Sequence, residues 1–386
     1  LPGCKGFSLA SARGPSSKKI IGEMDVSPFF LGSLQDPFNK RFEILLLFVF
    51  YVRVKKNDCF SSSRRSFLKS AVLASASCMA LGFGSAEAFA APKAKKPRWE
   101  LSCRDNLLAM IGAKSCWEAM DRLGISGVEA ASPRGFQSNN FFSDEKKYDL
   151  TNDAGIKELK KDLKAEKKNI TAFLMGNTLE QDLVEELKYA ETVVNAAEIL
   201  KVPAIRIDVY PSKSSKEDFL PVAINACKKL CDLLKGTKIR YAIENHGSVT
   251  NDPWFLDRLF DGVGSDRLGL TLDTANFYWY GHPLDDIYGI FERYAGKAYH
   301  THCKSIKYPE DKRNSQRERG WEYEKYAAPI DEGDIDFEKF AQIMKAAKYK
   351  ADMCLENEIV GRLKTPEERF AELKREIDYL ARVTSI

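Results

Sequence analysis

The chain has 386 residues, of which 44% are hydrophobic and 30% charged, the makeup of a soluble globular protein and not of a disordered one. Lys+Arg 59 against Asp+Glu 55 leaves a net charge of only +4, so no concentrated positive field marks nucleic acid as the partner. Nine cysteines lack the short, even spacing of a disulfide framework and most read as space-filling thiols, while four histidines count against sites that need many imidazole ligands.

In chain order, residues 1–60 start at Leu1 instead of Met, show no sustained periodicity and are given no structural role. The apolar run from Ile44 to Val52 is far shorter than the roughly 20 residues of a bilayer span. Residues 61–90 resemble a twin-arginine export signal. Ser63-Arg64-Arg65-Ser66-Phe67-Leu68-Lys69 comes first, the apolar stretch Ala71 to Phe83 follows, and Ala88-Phe89-Ala90 closes it as a small-residue cleavage site. That resemblance implies export in the folded state to the periplasm, with no membrane span left after cleavage, and it favours a protein carrying a metal or cofactor. Cys78 lacks a Leu at position 75, where Ser75 stands, so no lipid anchor is expected. Residues 91–98, rich in Lys and Pro, read as a linker.

From Trp99 to the end, short strand-like runs alternate with amphipathic helical segments, eight of each, which means parallel strands joined by crossover helices. The expected strands are Glu100–Cys103, Gly127–Ala130, Ile170–Leu174, Ala204–Val209, Arg240–Glu244, Leu268–Asp273, Ala298–Cys303 and Ala351–Glu356. Leu179–Leu200 and Phe219–Leu234 carry apolar residues at helical spacing; Gly236 supplies a stop signal, and Pro253 and Pro283 fall in first turns. Eight such units over residues 99–386 predict an α/β fold of the (β/α)8 TIM barrel type as a single catalytic domain. An open doubly wound sheet does not usually need eight units, and no Gly-rich phosphate fingerprint follows the first strand.

A barrel of this kind builds its site at the carboxyl ends of its strands. The last four strands end in Glu244-Asn245-His246-Gly247, Leu272-Asp273-Thr274-Ala275-Asn276-Phe277, His300-Thr301-His302-Cys303-Lys304 and Leu355-Glu356-Asn357-Glu358. Two Glu, one Asp and one His converging there make an oxygen-rich place for one divalent ion: Mn, Mg, Co or Zn. A lone acid at a strand end is more often a helix cap or a surface group, but four on consecutive strands defeat that explanation. Glu358 competes with Glu356 in register, and Glu356 is preferred because it closes the apolar strand. His300 shares a face with His302 and is either a ligand or a hydrogen-bonding support. His282, before Pro283, is expected to be an ordinary loop residue. The aromatic run Phe277 to Tyr280 stacks on a sugar or caps the core. Cys227 and Cys231 are expected to be buried, and Lys307–Glu324 to be a solvated loop, with a lid or subunit contact as the alternatives.

Taken in order, Glu-Asn-His-Gly, Leu-Asp-Thr-Ala-Asn-Phe, His-x-His-x-Lys and the acid after Gly-Asp-Ile-Asp-Phe and a helix are similar to the xylose-isomerase-like TIM barrel family of sugar phosphate isomerases and epimerases. The similarity spans about residues 99 to 380. It implies that Glu244, Asp273, His302 and Glu356 hold the metal, with Glu244 and Glu356 doubling as the acid/base pair across an enediolate. Arg206, His246, Asn276, Lys304 and Trp279 would then lie on the substrate side. Asn276 stands where ketose epimerases of the family often have His, and no Gly-rich phosphate loop is visible. The implied function is a metal-dependent sugar isomerase or epimerase acting on a ketose or related carbohydrate, with self-association left open. The alternative is a keto-glycoside lyase on the same site, and after it an inactive sugar-binding barrel. A DNA-repair endonuclease of this fold would need a three-zinc cluster and more histidines than the chain has.

Overall fold

The computed structural model describes residues 96–134, 137–143 and 146–386. The expected export signal, its cleavage site and most of the linker lie outside the described residues. The eight apolar runs pair in parallel, each with its chain neighbour and the first with the last, so the sheet closes on itself. The strands are β1 (Leu101–Arg104), β2 (Gly127–Ser132), β3 (Asn169–Met175), β4 (Ala204–Ile207), β5 (Arg240–Glu244), β6 (Leu268–Asp273), β7 (Ala298–Cys303) and β8 (Met353–Leu355). This is the expected (β/α)8 barrel.

Two strands are shorter than their sequence pattern, and in both cases side chains have taken over the backbone groups. Asn177 bonds both the N–H and the C=O of Asp208, at 2.9 and 2.7 Å, which ends the β4 ladder before Val209. The carbonyl of Asp352 accepts from Thr301 Oγ1 and Tyr349 Oη, at 3.0 and 2.8 Å, ahead of β8.

The principal helices are α1 (Cys116–Leu123), α2 (Asp153–Glu166), α3 (Leu183–Leu200), α4 (Lys216–Leu233), α5 (Pro253–Val263), α6 (Leu284–Tyr294), α7 (Phe337–Ala346) and α8 (Pro366–Val383). All but α6 start behind a Ser, Asn, Asp or Thr whose side chain accepts a first-turn N–H. Asp182 therefore sets the start of α3 later than the apolar spacing suggests, and Ser215 sets that of α4 earlier. Pro283 stands just ahead of α6 instead of inside it. No helix among the described residues is long and apolar enough to cross a membrane.

Tight packing shapes both ends of the barrel. At Gly269 in β6, a Cβ would lie 2.2 Å from the Lys297 carbonyl oxygen and 2.5 Å from the Tyr299 ring, so only hydrogen fits. Tyr299 in turn packs on a small layer of Ala172, Ala204 and Ala242. At the opposite end, the segment after β7 exposes most of its acidic and several of its basic side chains, as its composition suggests, but it is not an irregular loop. Its strands Ser305–Ile306 and Ala327–Ala328 pair antiparallel, and two short helices, Glu310–Arg313 and Tyr323–Tyr326, lie between them. The reason is Arg317. It is buried and donates to the carbonyls of Tyr278, His282 and Ser315 at 3.0, 2.8 and 2.9 Å, with its guanidinium 4.5 Å from the rings of both Tyr278 and Tyr308. The segment is a fastened cover.

Candidate metal centre

Glu244 ends β5, Asp273 ends β6, His302 is the fifth residue of β7 and Glu356 follows β8, so strand geometry carries all four to the carboxyl mouth. All four are buried, and one donor atom of each lies within 4.8 Å of the others. His302 Nδ1 is 3.1 Å from both Glu244 Oε1 and Glu356 Oε2, and 4.0 Å from Asp273 Oδ2. Asn245 clamps the neighbouring strand: its Oδ1 accepts from the Asp273 N–H at 2.8 Å and its Nδ2 donates to the Asp273 carbonyl at 3.0 Å. Asp273 Oδ1 then accepts the N–H groups of Ala275 and Asn276 at 2.8 and 2.7 Å, and Oδ2 is left for the group.

Asp273 Oδ2 and Glu356 Oε2 are buried without a hydrogen-bond partner. The Lys304 ammonium lies 3.2 Å from each and offsets their charge, and a bound divalent ion would supply the directed bonds that this ion pair does not. With two Glu, one Asp and one imidazole nitrogen as donors, the set fits a divalent ion of the Mn, Mg, Co or Zn kind.

The surrounding cations fix each carboxylate. Arg206 Nε donates to Glu244 Oε2 at 2.7 Å and its Nη1 to Asp208 Oδ2 at 2.7 Å. Arg104 pairs with Glu356 and, at 3.3 Å, with Glu129. Lys304 Nζ lies 3.2 Å from both Asp273 Oδ2 and Glu356 Oε2, and 2.8 Å from Glu358 Oε1. Asn276 Nδ2 donates to Glu244 Oε1 at 3.2 Å, while His246 Nδ1 stands 3.3 Å from Asp208 Oδ1. Burial alone would raise the Glu244 and Glu356 carboxyls. Arg206 and His302 overcome it at Glu244, and His302, Lys304 and Arg104 at Glu356, so both are held below the usual range. At Asp273 burial prevails over Lys304, and the carboxyl is pushed up to about 7.

Arg206, His246, Asn276 and Lys304 are thus brought to the group or next to it. Trp279, half-buried just beyond β6, packs its indole against Gly320 of the cover, whose N–H donates to the Trp279 carbonyl at 2.8 Å. Phe277 and Tyr278 of the same run belong to the core. Glu356 wins the register contest, and Glu358 sits outside it as a partner of Lys304 and of Tyr323 from the cover. Cys227 and Cys231 are buried as expected.

The sequence reading missed Glu129, Arg104 and Asp352. Glu129, in β2, meets His302 Nε2 at 3.0 Å and His300 Nε2 at 3.3 Å, and His300 Nδ1 meets Asp352 Oδ1 at 2.7 Å. His300 is therefore the hydrogen-bonding support, in a buried chain of alternating carboxylates and imidazoles that runs down the barrel from His302. Glu129 was findable as a lone acid inside an otherwise apolar strand.

An eight-stranded parallel barrel that gathers two Glu, an Asp and a His at its carboxyl end is a barrel with a candidate divalent-metal centre. The chain belongs to the xylose isomerase-like TIM barrel family, whose pattern matches residues 117–383. No curated protein sequence matches it. Among solved structures, it is similar to the IOLI protein with a bound zinc atom, at 16% identity and TM-score 0.56, covering 73% of this chain and 98% of that one. D-allulose 3-epimerase from Methylomonas sp., in complex with D-allulose, matches at 14% identity and TM-score 0.51, covering 74% of this chain and 97% of its own. A probable 3-DHS dehydratase from Bacillus anthracis matches at 16% and 0.51, covering 73% and 98%. At such identities the likeness shows the fold alone.

Proposed function

We propose that the chain is a divalent-metal-dependent sugar isomerase or epimerase that moves a proton on a carbon beside the carbonyl of a ketose or related sugar. The observation that carries this reading is the convergence of Glu244 and Glu356 on His302 Nδ1, each 3.1 Å from it and each with its own arginine. One carboxylate takes the proton from carbon, the substrate passes through an enediolate, and the other carboxylate returns a proton. A bound divalent ion, held by Glu244, Asp273, His302 and Glu356, would supply the positive charge that polarises the sugar oxygens. Lys304, Asn276 and Arg206 hold the carboxylates in place, and His246, beside Asp208, presents a donor to the substrate. The family relative solved with D-allulose supports a carbohydrate as substrate. The order of residues 63–90 supports export by the twin-arginine route.

Glu356→Gln removes one of the two proton carriers. Purified variant and wild type are compared on ketoses in the presence of Mn, Mg, Co or Zn, and turnover in the variant is expected to disappear while its thermal unfolding stays cooperative. Wild-type turnover in the variant would remove the assignment. A second reading keeps the proton removal but follows it with loss of a leaving group, and the dehydratase relative favours it. Product mass separates the two: isomerisation conserves it, whereas elimination from a keto-glycoside releases the aglycone.

A further inference from the structure

The end of the barrel opposite the carboxylate group opens into a cavity of about 550 Å³, lined by residues at the amino ends of the strands. Six exposed cations line it: Arg98, Lys201, Lys238, Arg240, Lys348 and Lys350. Only two acids share the lining, and both are already engaged. Glu100 accepts from Ser126 Oγ at 2.8 Å and from Asn169 Nδ2 at 3.0 Å, while Asp352 accepts from Ser102 and pairs with His300. This one concavity therefore carries as large an excess of positive charge as the whole chain, +4. With the described residues, none of the six forms an ion pair.

Helix-dipole chemistry accounts for part of the ring only. Lys201 caps α3 and Lys348 follows α7, where a cation is favoured. Arg240 opens β5, and Lys238, Lys350 and Arg98 lie in the segments that lead into β5, β8 and β1, away from a helix's last turn. Two of them are preorganised on aromatic shelves. The Arg240 guanidinium lies 4.5 Å from the Tyr299 ring, whose hydroxyl donates to the Asp266 carbonyl at 2.7 Å. Arg98 lies 5.7 Å from the ring of buried Trp99, whose Nε1 donates to the Tyr349 carbonyl at 2.8 Å. The absence of a Cβ at Gly269 is what lets Tyr299 lie there.

We infer that this cavity binds a small, multiply charged anion of the phosphate or polyphosphate class, on a face that the proposed proton transfer does not use. A low-dielectric concavity lined by one sign of charge focuses the field and raises the local concentration of counter-ions. Guanidinium forks match phosphate oxygens in geometry, and the surrounding lysines add point charge. The volume lies within the roughly 300–1,000 Å³ of small-molecule sites, and its concavity suits a molecule of that size better than a flat lipid surface.

The probe is inorganic tripolyphosphate, titrated calorimetrically into the full chain at constant ionic strength. Three proteins are compared: wild type, the charge-reversed double variant Lys238→Glu/Lys350→Glu, and Glu356→Gln at the opposite end. Saturable one-site binding is expected in wild type and in Glu356→Gln, with affinity about tenfold or more lower in the charge-reversed variant and falling steeply with added salt. Absence of saturable binding in wild type, or unchanged affinity in the charge-reversed variant, overturns the inference. Loss in Glu356→Gln alone overturns it as well, because the anion then belongs to the carboxylate end. Binding to vesicles rich in anionic lipid, with no response to tripolyphosphate, would show a lipid-facing surface in its place.

Discussion

Glu129 lies inside the barrel with its carboxylate 3.0 Å from Nε2 of His302, and Arg104 steadies it from the other side at 3.3 Å. Against burial, the carboxylates of Glu129, Glu356 and Glu244 draw His302 toward its charged form, and with a divalent ion bound, Glu129 accepting the Nε2 proton would leave the Nδ1 lone pair for that ion. Glu129→Gln removes that charge without emptying the site. Affinity for a divalent ion, measured by competition with a chromogenic chelator, is expected to fall about 10–100-fold. Unchanged affinity would reduce Glu129 to a packing role. The four residues of the centre were legible in the sequence because each closes, or nearly closes, an apolar strand whose polarity is easily read. Glu129 leaves a weaker trace, a lone acid inside an apolar strand, and its partner is 173 positions away along the chain. Arg104 and Asp352 were hidden for the same reason: their roles exist only once β1 closes against β8.

At the scale of elements, β6 and β7 are held together around a missing side chain. Gly269→Ala forces a methyl group into the Lys297 backbone, which cannot move without disturbing the ladder. Chemical unfolding should show a loss of about 1–3 kcal/mol, the usual cost of overpacking, and an unchanged midpoint would mean that the two strands have room to separate. The same substitution tilts the Tyr299 shelf and should weaken tripolyphosphate binding in parallel. All eight strands were placed from sequence within a few residues, because alternation of short apolar runs with helical periodicity is a local signal. The exposure of the cover's charges is legible in the sequence, but its fastening is not, because the fastening is not local. Lys, Arg and Glu density says solvent, yet Arg317 reaches carbonyls up to 39 residues away and two tyrosine rings that no window of sequence brings together.

For the molecule as a whole, stability is coupled to pH through Glu376 in α8. It is fully buried, its Oε2 accepts from Asn357 Nδ2 at 2.6 Å and its Oε1 from the Ile330 N–H at 2.8 Å. Burial raises its carboxyl to about 7, above the 4.5 of an ordinary glutamate. Folding thus favours the protonated form. The contribution is complete below about pH 4.5 and is lost as pH rises through about 7, an effect of up to about 3 kcal/mol. Urea midpoints taken from pH 4.5 to 8 should decline over that interval in wild type and decline less in Glu376→Gln, where Asp273, also raised to about 7, still contributes. An identical decline in both would assign the pH dependence to other groups.

Cys103, Cys116, Cys227, Cys231, Cys303 and Cys354 are all free and buried, and burial pushes every one of these thiols upward. Oxidants, electrophiles and disulfide-exchange partners attack the thiolate, and a folded barrel with its sulfurs protonated and enclosed offers them almost none. The thiols of the folded domain therefore give a change in redox potential little to act on. Once folded under reducing conditions, it would keep the same covalent structure on the oxidising side of a membrane, with no disulfide to form and none to lose.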